Sequence, residues 1–318
     1  MPDFIVFRDI ESPVTPEQLA PPDPRCRCVQ FCGPLTDADH QALAAFLRQY
    51  PHLALRAYGP YMAHFDLDFL RHYPFVRHLA IDVFCLENLD GLQHVSPELE
   101  TFVLGRTASK RHSLAFLRRF PRLRSLELEG HTKDIDAIGA LSQLDDLTLR
   151  SITLPDLSIL RPLKRLRSLE IKLGGTKNLG LLPEIGRLRY LELWLVRGLA
   201  DLEPVGSVRT LQFLFLQALK QVKTLPSLAG LRSLRRIHLE TMKGLSDLRT
   251  VADAPAVEEL VVIDMPQLTV EAFRPFVGHP TLRRIHVGLS VTRLNKAVEE
   301  LLPLPQAGWN FKFDDKSH

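Results

Sequence analysis

Cysteine is scarce in this chain of 318 residues, occurring only as Cys26, Cys28, Cys32 and Cys85. Sulfurs so few and so clustered cannot staple a chain of this length, which excludes a disulfide scaffold and predicts free thiols. Asparagine is equally scarce, at Asn88, Asn178, Asn295 and Asn310, and no lysine precedes Lys110. Neither sign of charge dominates, since the formal net charge is +3, and that balance argues neither for nor against a polyanion partner. No apolar run reaches the length of a membrane-spanning helix. The opening MPDFIVFRDIESP lacks the basic start and apolar stretch of a secretory leader, so the expected address is cytoplasmic.

Reaction motifs are missing as well. There is no G-x-x-x-x-G-K-[ST] phosphate loop, no H-E-x-x-H and no G-x-S-x-G, each of which would place groups for phosphate, zinc or acyl chemistry. The chain is read as no enzyme, with no cofactor. "FDLDF" sets Asp66 and Asp68 close enough to share a metal, but an aspartate ahead of an apolar helical run is expected to cap it.

What fills the chain is repetition. "AFLRQYPHLAL" begins at Ala45, "DFLRHYPFVRHLAI" at Asp68 and "AFLRRFPRLRSLEL" at Ala115. The apolar triplet that follows, of form L-x-x-L-x-L, recurs twelve times between Cys26 and Leu282 at a step of about 23 residues. Its second and third places are apolar in every copy, from Val29 and Phe31 through Leu191 and Leu193 to Ile285 and Val287. From Leu188 to Ala254 the frame is stricter still: Leu211, Leu214, Leu216, Leu219, Val222, Leu225, Leu228 and Leu231 form one copy. Each copy is one coil of a solenoid whose core grows by stacking.

The phrases "LRSLELEG", "LRSLEIKL", "LRYLELWL" and "LRRIHLET" resemble the strand signature of the leucine-rich repeat family, and the short period resembles its bacterial, internalin-like varieties. The resemblance covers residues 26–290. It implies an α/β solenoid, a horseshoe or arc of about twelve coils, with a parallel β-sheet on the concave face and short helices or extended segments on the convex face. It also implies a binding module that holds a protein or peptide on that sheet. One feature departs from the family: the asparagine usual three residues after the triplet is replaced by His131, Ile152, Gly174, Val196, Leu219, Met242, Met265 and Ser290 in successive copies. Without an asparagine ladder, the turn's backbone groups are expected to bond to each other or to water.

The ends read as caps. Residues 1–25 hold a strand in "DFIVF" and a proline-rich link, residues 26–290 are the array, and residues 291–318 form a second cap. "LTDADHQALAAFLRQY" reads as a helix N-capped by Thr36, with Leu43, Phe46, Leu47 and Tyr50 on one face. Thr292 to Leu302 reads as a helix, and "GWNFKFD" as a closing strand with Trp309, Phe311 and Phe313 turned inward.

Three groups of residues are candidate sites. Strand alternation sends Tyr190, Glu192 and Trp194, then Phe213, Phe215 and Gln217, then Arg236, His238 and Glu240 to the face opposite the leucines. An exposed aromatic patch of this kind marks a contact surface. Tyr190, Trp194, Phe213 and Phe215 are therefore the expected anchors for a protein or peptide, with Glu127, Glu170 and Glu192 selecting basic groups and His238 beside them. The competing reading is a slipped register at Phe213 and Phe215, or a terminal segment folded over them.

The second group is Cys28, His52 and His78, which the triplet frame puts in one outward column, with Cys32 and Asp82 near. Sulfur and imidazole suit zinc, which makes a metal-dependent protein or enzyme the alternative function, although C-x-C-x-x-x-C matches no zinc-fold spacing. The third is a rim of arginines, Arg77, Arg124, Arg167, Arg189, Arg235 and Arg283, joined by Arg122, Arg165 and Arg187. Such a row suits nucleic acid phosphates, but acidic neighbours such as Glu100, Asp145 and Glu258 interrupt it, and a nucleic acid partner is disfavoured.

Overall fold

The apolar triplets become short strands because alternate side chains have a core to enter. In the computed structural model, which describes residues 6–59 and 65–308, the strands are β1 (Val6–Asp9), β2 (Cys26–Phe31), β3 (Ala54–Gly59), β4 (His78–Val83), β5 (Thr101–Leu104), β6 (Ser125–Glu129), β7 (Asp146–Arg150), β8 (Ser168–Lys172), β9 (Tyr190–Trp194), β10 (Phe213–Gln217), β11 (Arg236–Glu240), β12 (Glu259–Ile263) and β13 (Arg284–Gly288). The chain divides into two units, Met1–Leu147 and Thr148–His318. In the first, β1 to β6 pair in sequence order and in parallel. In the second, β8 to β13 do the same. Strand β7 straddles the division.

Within each coil the frame residues are inside. The copy from Leu211 to Leu231 is buried at all eight frame positions, and no coil has a core without its neighbours. The described capping strand of the first unit is Val6–Asp9, which takes in the end of "DFIVF" and pairs with β2; residues 3–5 lie outside the described residues.

The turns after the strands of the second unit solve the missing asparagine differently. Ser151, Leu173, Leu195, Ala218, Thr241 and Asp264 take the left-handed conformation with φ between 48° and 57°, which costs an L-residue roughly 1 kcal/mol or more. Each of them donates its backbone N–H to the next coil: Ser151 to Lys172, Leu173 to Trp194, Leu195 to Gln217, Ala218 to Glu240, Thr241 to Ile263 and Asp264 to Gly288, at 2.8 to 3.0 Å. The turn groups thus bond to each other by prolonging the strand ladder, as the sequence leads one to expect.

The return segments are single turns of 3-10 helix, among them Asp68–His72, Leu114–Arg119, Glu203–Ser207 and Val270–Phe276. Many are opened by an acid or amide that accepts the N–H two residues on. Asp66 accepts from Asp68 at 2.9 Å, Asn88 from Asp90 at 3.0 Å, Asp156 from Ser158 at 2.8 Å and Asp201 from Glu203 at 2.8 Å. The aspartates of "FDLDF" are part of this recurring cap.

Helix α1 (Asp37–Gln49) closes the first unit's front with a capping box: the Thr36 hydroxyl oxygen accepts from the Asp39 N–H at 3.2 Å and the Asp39 carboxylate accepts from the Thr36 N–H at 3.0 Å. Leu43, Phe46 and Leu47 are buried as the periodicity requires, while Tyr50 ends the helix half-buried. In the second unit α2 (Arg249–Ala252) is one short turn, and α3 (Thr292–Leu301) packs on β13 and on Val270–Phe276. The chain then returns to the sheet edge. Ile285 donates to the Pro305 carbonyl at 3.0 Å and accepts from the Ala307 N–H at 3.2 Å. The closing strand expected over Trp309, Phe311 and Phe313 lies outside the described residues.

Candidate functional site

The outer face of the second unit's sheet, opposite the leucines, carries the aromatic group. Register decides its geometry: Phe213 stands between Tyr190 and Arg236, Phe215 between Glu192 and His238, and Gln217 between Trp194 and Glu240. There is no slip, because Leu214 and Leu216 remain buried on the core side.

The side chains pack along these rows. Tyr190 and Phe213 meet edge to face with ring centroids 5.0 Å apart, and the Arg236 guanidinium lies 5.1 Å from the centroid of Phe213 on its other side. In the next row Phe215 and His238 are 4.3 Å apart between centroids. Contacts of this kind are favourable for rings and for cations over rings. They also change the expectation of exposure. Tyr190, Phe213 and Phe215 are only 6%, 1% and 5% exposed, and His238 is buried too. Neighbouring strands stand about 4.8 Å apart, so rings in adjacent columns shield one another. Trp194 is the half-exposed member, with the Arg150 guanidinium 5.8 Å from its ring centroid.

The acidic part is a buried ionic cluster. Lys172 reaches Glu170 at 2.5 Å and Glu192 at 3.2 Å, and the Tyr190 hydroxyl donates to Glu192 at 2.7 Å. Burial works against the charge of Lys172, but hydrogen bonds and attraction from the two glutamates outweigh it and raise its pKa above the ordinary lysine value. Burial raises the Tyr190 phenol strongly, with the Glu192 charge adding to it, so the hydroxyl is a fixed donor. At the other end His238 Nε2 lies 3.1 Å from Glu240, which also accepts from Gln217 at 2.7 Å. Burial, reinforced by Arg236, pushes the His238 pKa down to about 4. Glu127 lies in the first unit, on β6 opposite Val103, and is half-buried.

Two residues that organise this face, Lys172 and Arg236, are outward by alternation, yet their sequence context marks no role. The signal was the register itself: it puts a lysine between two glutamates and an arginine beside a phenylalanine.

The other two candidate groups come apart. Strand pairing sets Cys28 opposite Ala54, and Ala54 in line with His78, so His52 stands two residues before the column that the triplet frame assigned to it. The frame fails there because the second strand takes Leu55 and Ala57 inward in place of Leu53 and Leu55. Cys28 is buried, which pushes its thiol up to about 11, and His78 is engaged with the Thr101 hydroxyl at 3.0 Å. Asp82 holds Arg56 at 2.5 Å. Among the described residues no three His, Cys, Asp or Glu side chains are grouped to hold a metal. Along the rim, Arg77 pairs with Glu100 at 2.9 Å, Arg124 with Asp145 at 3.7 Å and Arg235 with Glu258 at 3.4 Å. The acid of the following coil therefore neutralises each of these arginines. No helix among the described residues is long and apolar enough to cross a membrane.

No protein-family model matches the chain, and no curated protein matches it in sequence. Solved structures do. An internalin from Listeria monocytogenes superposes with a TM-score of 0.57 at 15% identity, covering 89% of this chain and 79% of its own. A leucine-rich-repeat protein from Leptospira interrogans superposes with a TM-score of 0.52 at 16% identity, covering 90% of each chain. These likenesses show the fold: an α/β solenoid of leucine-rich repeats.

Proposed function

We propose that this chain is a non-catalytic recognition module that takes a protein or peptide partner on the outer sheet face. Within the second unit Tyr190, Trp194, Phe213 and Phe215 are its anchors, Glu170 and Glu192 its acidic selectors, and His238 flanks them; Glu127, in the first unit, is a separate acidic selector. The observation that carries the reading is the aromatic cluster of Tyr190, Phe213 and Phe215 on the face opposite the core. Corresponding outward places on β6 and β7 hold Ser125, Glu127 and Glu129, and Asp146, Thr148 and Arg150, the composition of a solvated face. Large rings there add nothing to the leucine core, whereas aromatics with a buried polar surround are the usual anchors of interfaces.

The roles divide by exposure. Trp194 is the reachable anchor, and the buried rings form the floor beneath a partner. Lys172 already offsets half of the charge of Glu170 and Glu192, so a basic group on the partner would share those carboxylates with it. Capture from the source organism's lysate tests the reading, with the wild-type chain compared with Trp194→Ala. A protein retained by the first and lost by the second is the expected result. Equal retention by both removes the face from consideration.

A further inference from the structure

Cations and acids are interleaved over most of the second unit. Arg161 pairs with Glu184 at 2.8 Å, Arg235 with Glu258 at 3.4 Å and Arg284 with Glu259 at 2.9 Å, so these exposed arginines each meet the acid of a neighbouring coil. The edge where the strands end is different. The first six residues after each of β8, β9, β10 and β11 are 173–178, 195–200, 218–223 and 241–246, and they hold five cations, Lys177, Arg197, Lys220, Lys223 and Lys243, with no acid. All five are exposed, and among the described residues none of them forms an ion pair. The acids that follow in sequence are engaged elsewhere: Asp201 accepts from the Glu203 N–H at 2.8 Å and Asp247 holds Arg249. The corresponding segments after β7 and β12, 151–156 and 264–269, carry an acid and no cation, so the patch is bounded on both sides.

Register gathers these charges. The turns after β9, β10 and β11 share one conformation, with φ of 49°, 56° and 53° at Leu195, Ala218 and Thr241. Arg197, Lys220 and Lys243, each three residues past its strand, therefore stand in one column at steps of about 4.8 Å. Lys177 lies against the head of the column, since a side-chain carbon at Gly198 would come within 2.7 Å of its Cε. Like charges so close repel, and acids on alternate coils would relieve the repulsion, so folding gains nothing from the row. Between the first two cations the edge is hollow: a cavity of about 310 Å³ has Leu195, Val196, Leu199 and Ala218 in its lining together with Arg197 and Lys220.

We propose that this edge is a second binding surface, which takes an acidic segment of a protein partner in extended form, its carboxylates on the cation column and one apolar side chain in the cavity. It is separate from the outer sheet face and does not rest on docking there. From Arg197 to Lys243 is about 10 Å, a length that three residues of extended chain cover. Acids on either side of an apolar residue therefore reach the column while that residue enters the cavity. Lysine supplies a mobile point charge in place of a rigid fork, which suits carboxylates on a flexible segment. Nucleic acid fits less well. None of the four segments carries an aromatic residue on which bases could stack, and a column about 10 Å long meets only about three phosphates of a duplex strand. A bilayer fits less well too, because the edge exposes no large apolar side chain to enter it.

The test is a titration of the full chain into the labelled peptide Gly-Asp-Glu-Leu-Glu-Asp-Gly at low salt. Saturable binding is expected, weakened about tenfold or more by Arg197→Glu combined with Lys220→Glu. Added salt should weaken it as well, and so should glycine in place of the peptide's leucine. No saturable binding, or binding that the double variant leaves unchanged, overturns the proposal. A short DNA duplex and phosphatidylserine vesicles are titrated beside the peptide; tighter binding of either, lost in the same variant, replaces the acidic segment with that partner. Should charge reversal unfold the chain, Lys220→Gln with Lys243→Gln removes charge only at exposed places, and unchanged peptide binding there overturns the proposal equally. Trp194→Ala belongs to the sheet face and should leave peptide binding as it is, so failure of one surface is read apart from failure of the other. Loss of the peptide in that variant would assign it to the face and remove the edge.

Discussion

Tyr190 donates its hydroxyl hydrogen to Glu192 two residues along the same strand, at 2.7 Å, while Lys172 of the neighbouring strand holds the same carboxylate at 3.2 Å. Two glutamates, a lysine and a phenol therefore form one buried unit on the sheet's outer face, and each partner makes the others tolerable there.

Removing the lysine isolates the acids. Lys172→Met is expected to destabilise the chain by about 3 kcal/mol at neutral pH, because Glu170 and Glu192 are left buried and mutually repelling. The loss should shrink as the pH falls and the carboxylates take up protons. Adding Glu170→Gln to the variant should recover part of the loss. Urea unfolding at several pH values checks all three statements.

Buried histidines make the chain acid-sensitive. Burial lowers His238 and His40 to about 4 each, with Arg236 adding to the effect at His238 and His72 at His40. The unfolded chain binds these protons near pH 6.5, so stability is full above that pH, falls between about 6.5 and 4, and levels off below. A shift of this size corresponds to at most roughly 3 kcal/mol per histidine. Unfolding free energy measured across that window should slope downward with acid, and His238→Gln should flatten the slope; an unchanged slope would show that His238 is solvated.

For binding, Trp194 and Phe215 are not equivalent probes. Trp194→Ala should weaken partner capture by about 2 kcal/mol or more with little effect on folding, since the ring is half-exposed. Phe215→Ala should also destabilise the fold by about 3 kcal/mol, because the ring is buried against His238. Thermal melts beside affinity measurements separate the two effects.

The left-handed turns allow the opposite kind of change. Ala218 has φ 56°, a conformation in which asparagine is better tolerated than other side-chain-bearing residues. Ala218→Asn is expected to stabilise the chain by about 0.5 kcal/mol, read as a rise in the urea midpoint. The Thr36→Ala change, which removes the α1 capping box, should cost about 1 kcal/mol in the same assay.

Much of this was legible in residue order alone. A repeat of about 23 residues with inward leucines permits one arrangement, stacked coils joined by parallel strands, and Leu191, Leu193, Leu214 and Leu216 lie where that period puts them. Thr36 declared its helix through local hydrogen-bonding chemistry, which needs no distant partner. Where the frame was loose, at Leu53 to Ala57, two adjacent apolar choices satisfied the pattern, and only pairing with Val29 and Leu79 chose between them.

By itself, then, the sequence determined the coil, its inward residues and the column to which each outward side chain belongs, because those follow from periodicities of the backbone. Tertiary structure decided which outward groups are wet. Burial of Phe213, the reach of Lys172 to Glu192 and the hold of Arg236 on Gly308 depend on contacts across 20 to 72 residues of chain. No local pattern encodes a distance of that kind; it arises only when coils stack at a spacing of about 4.8 Å.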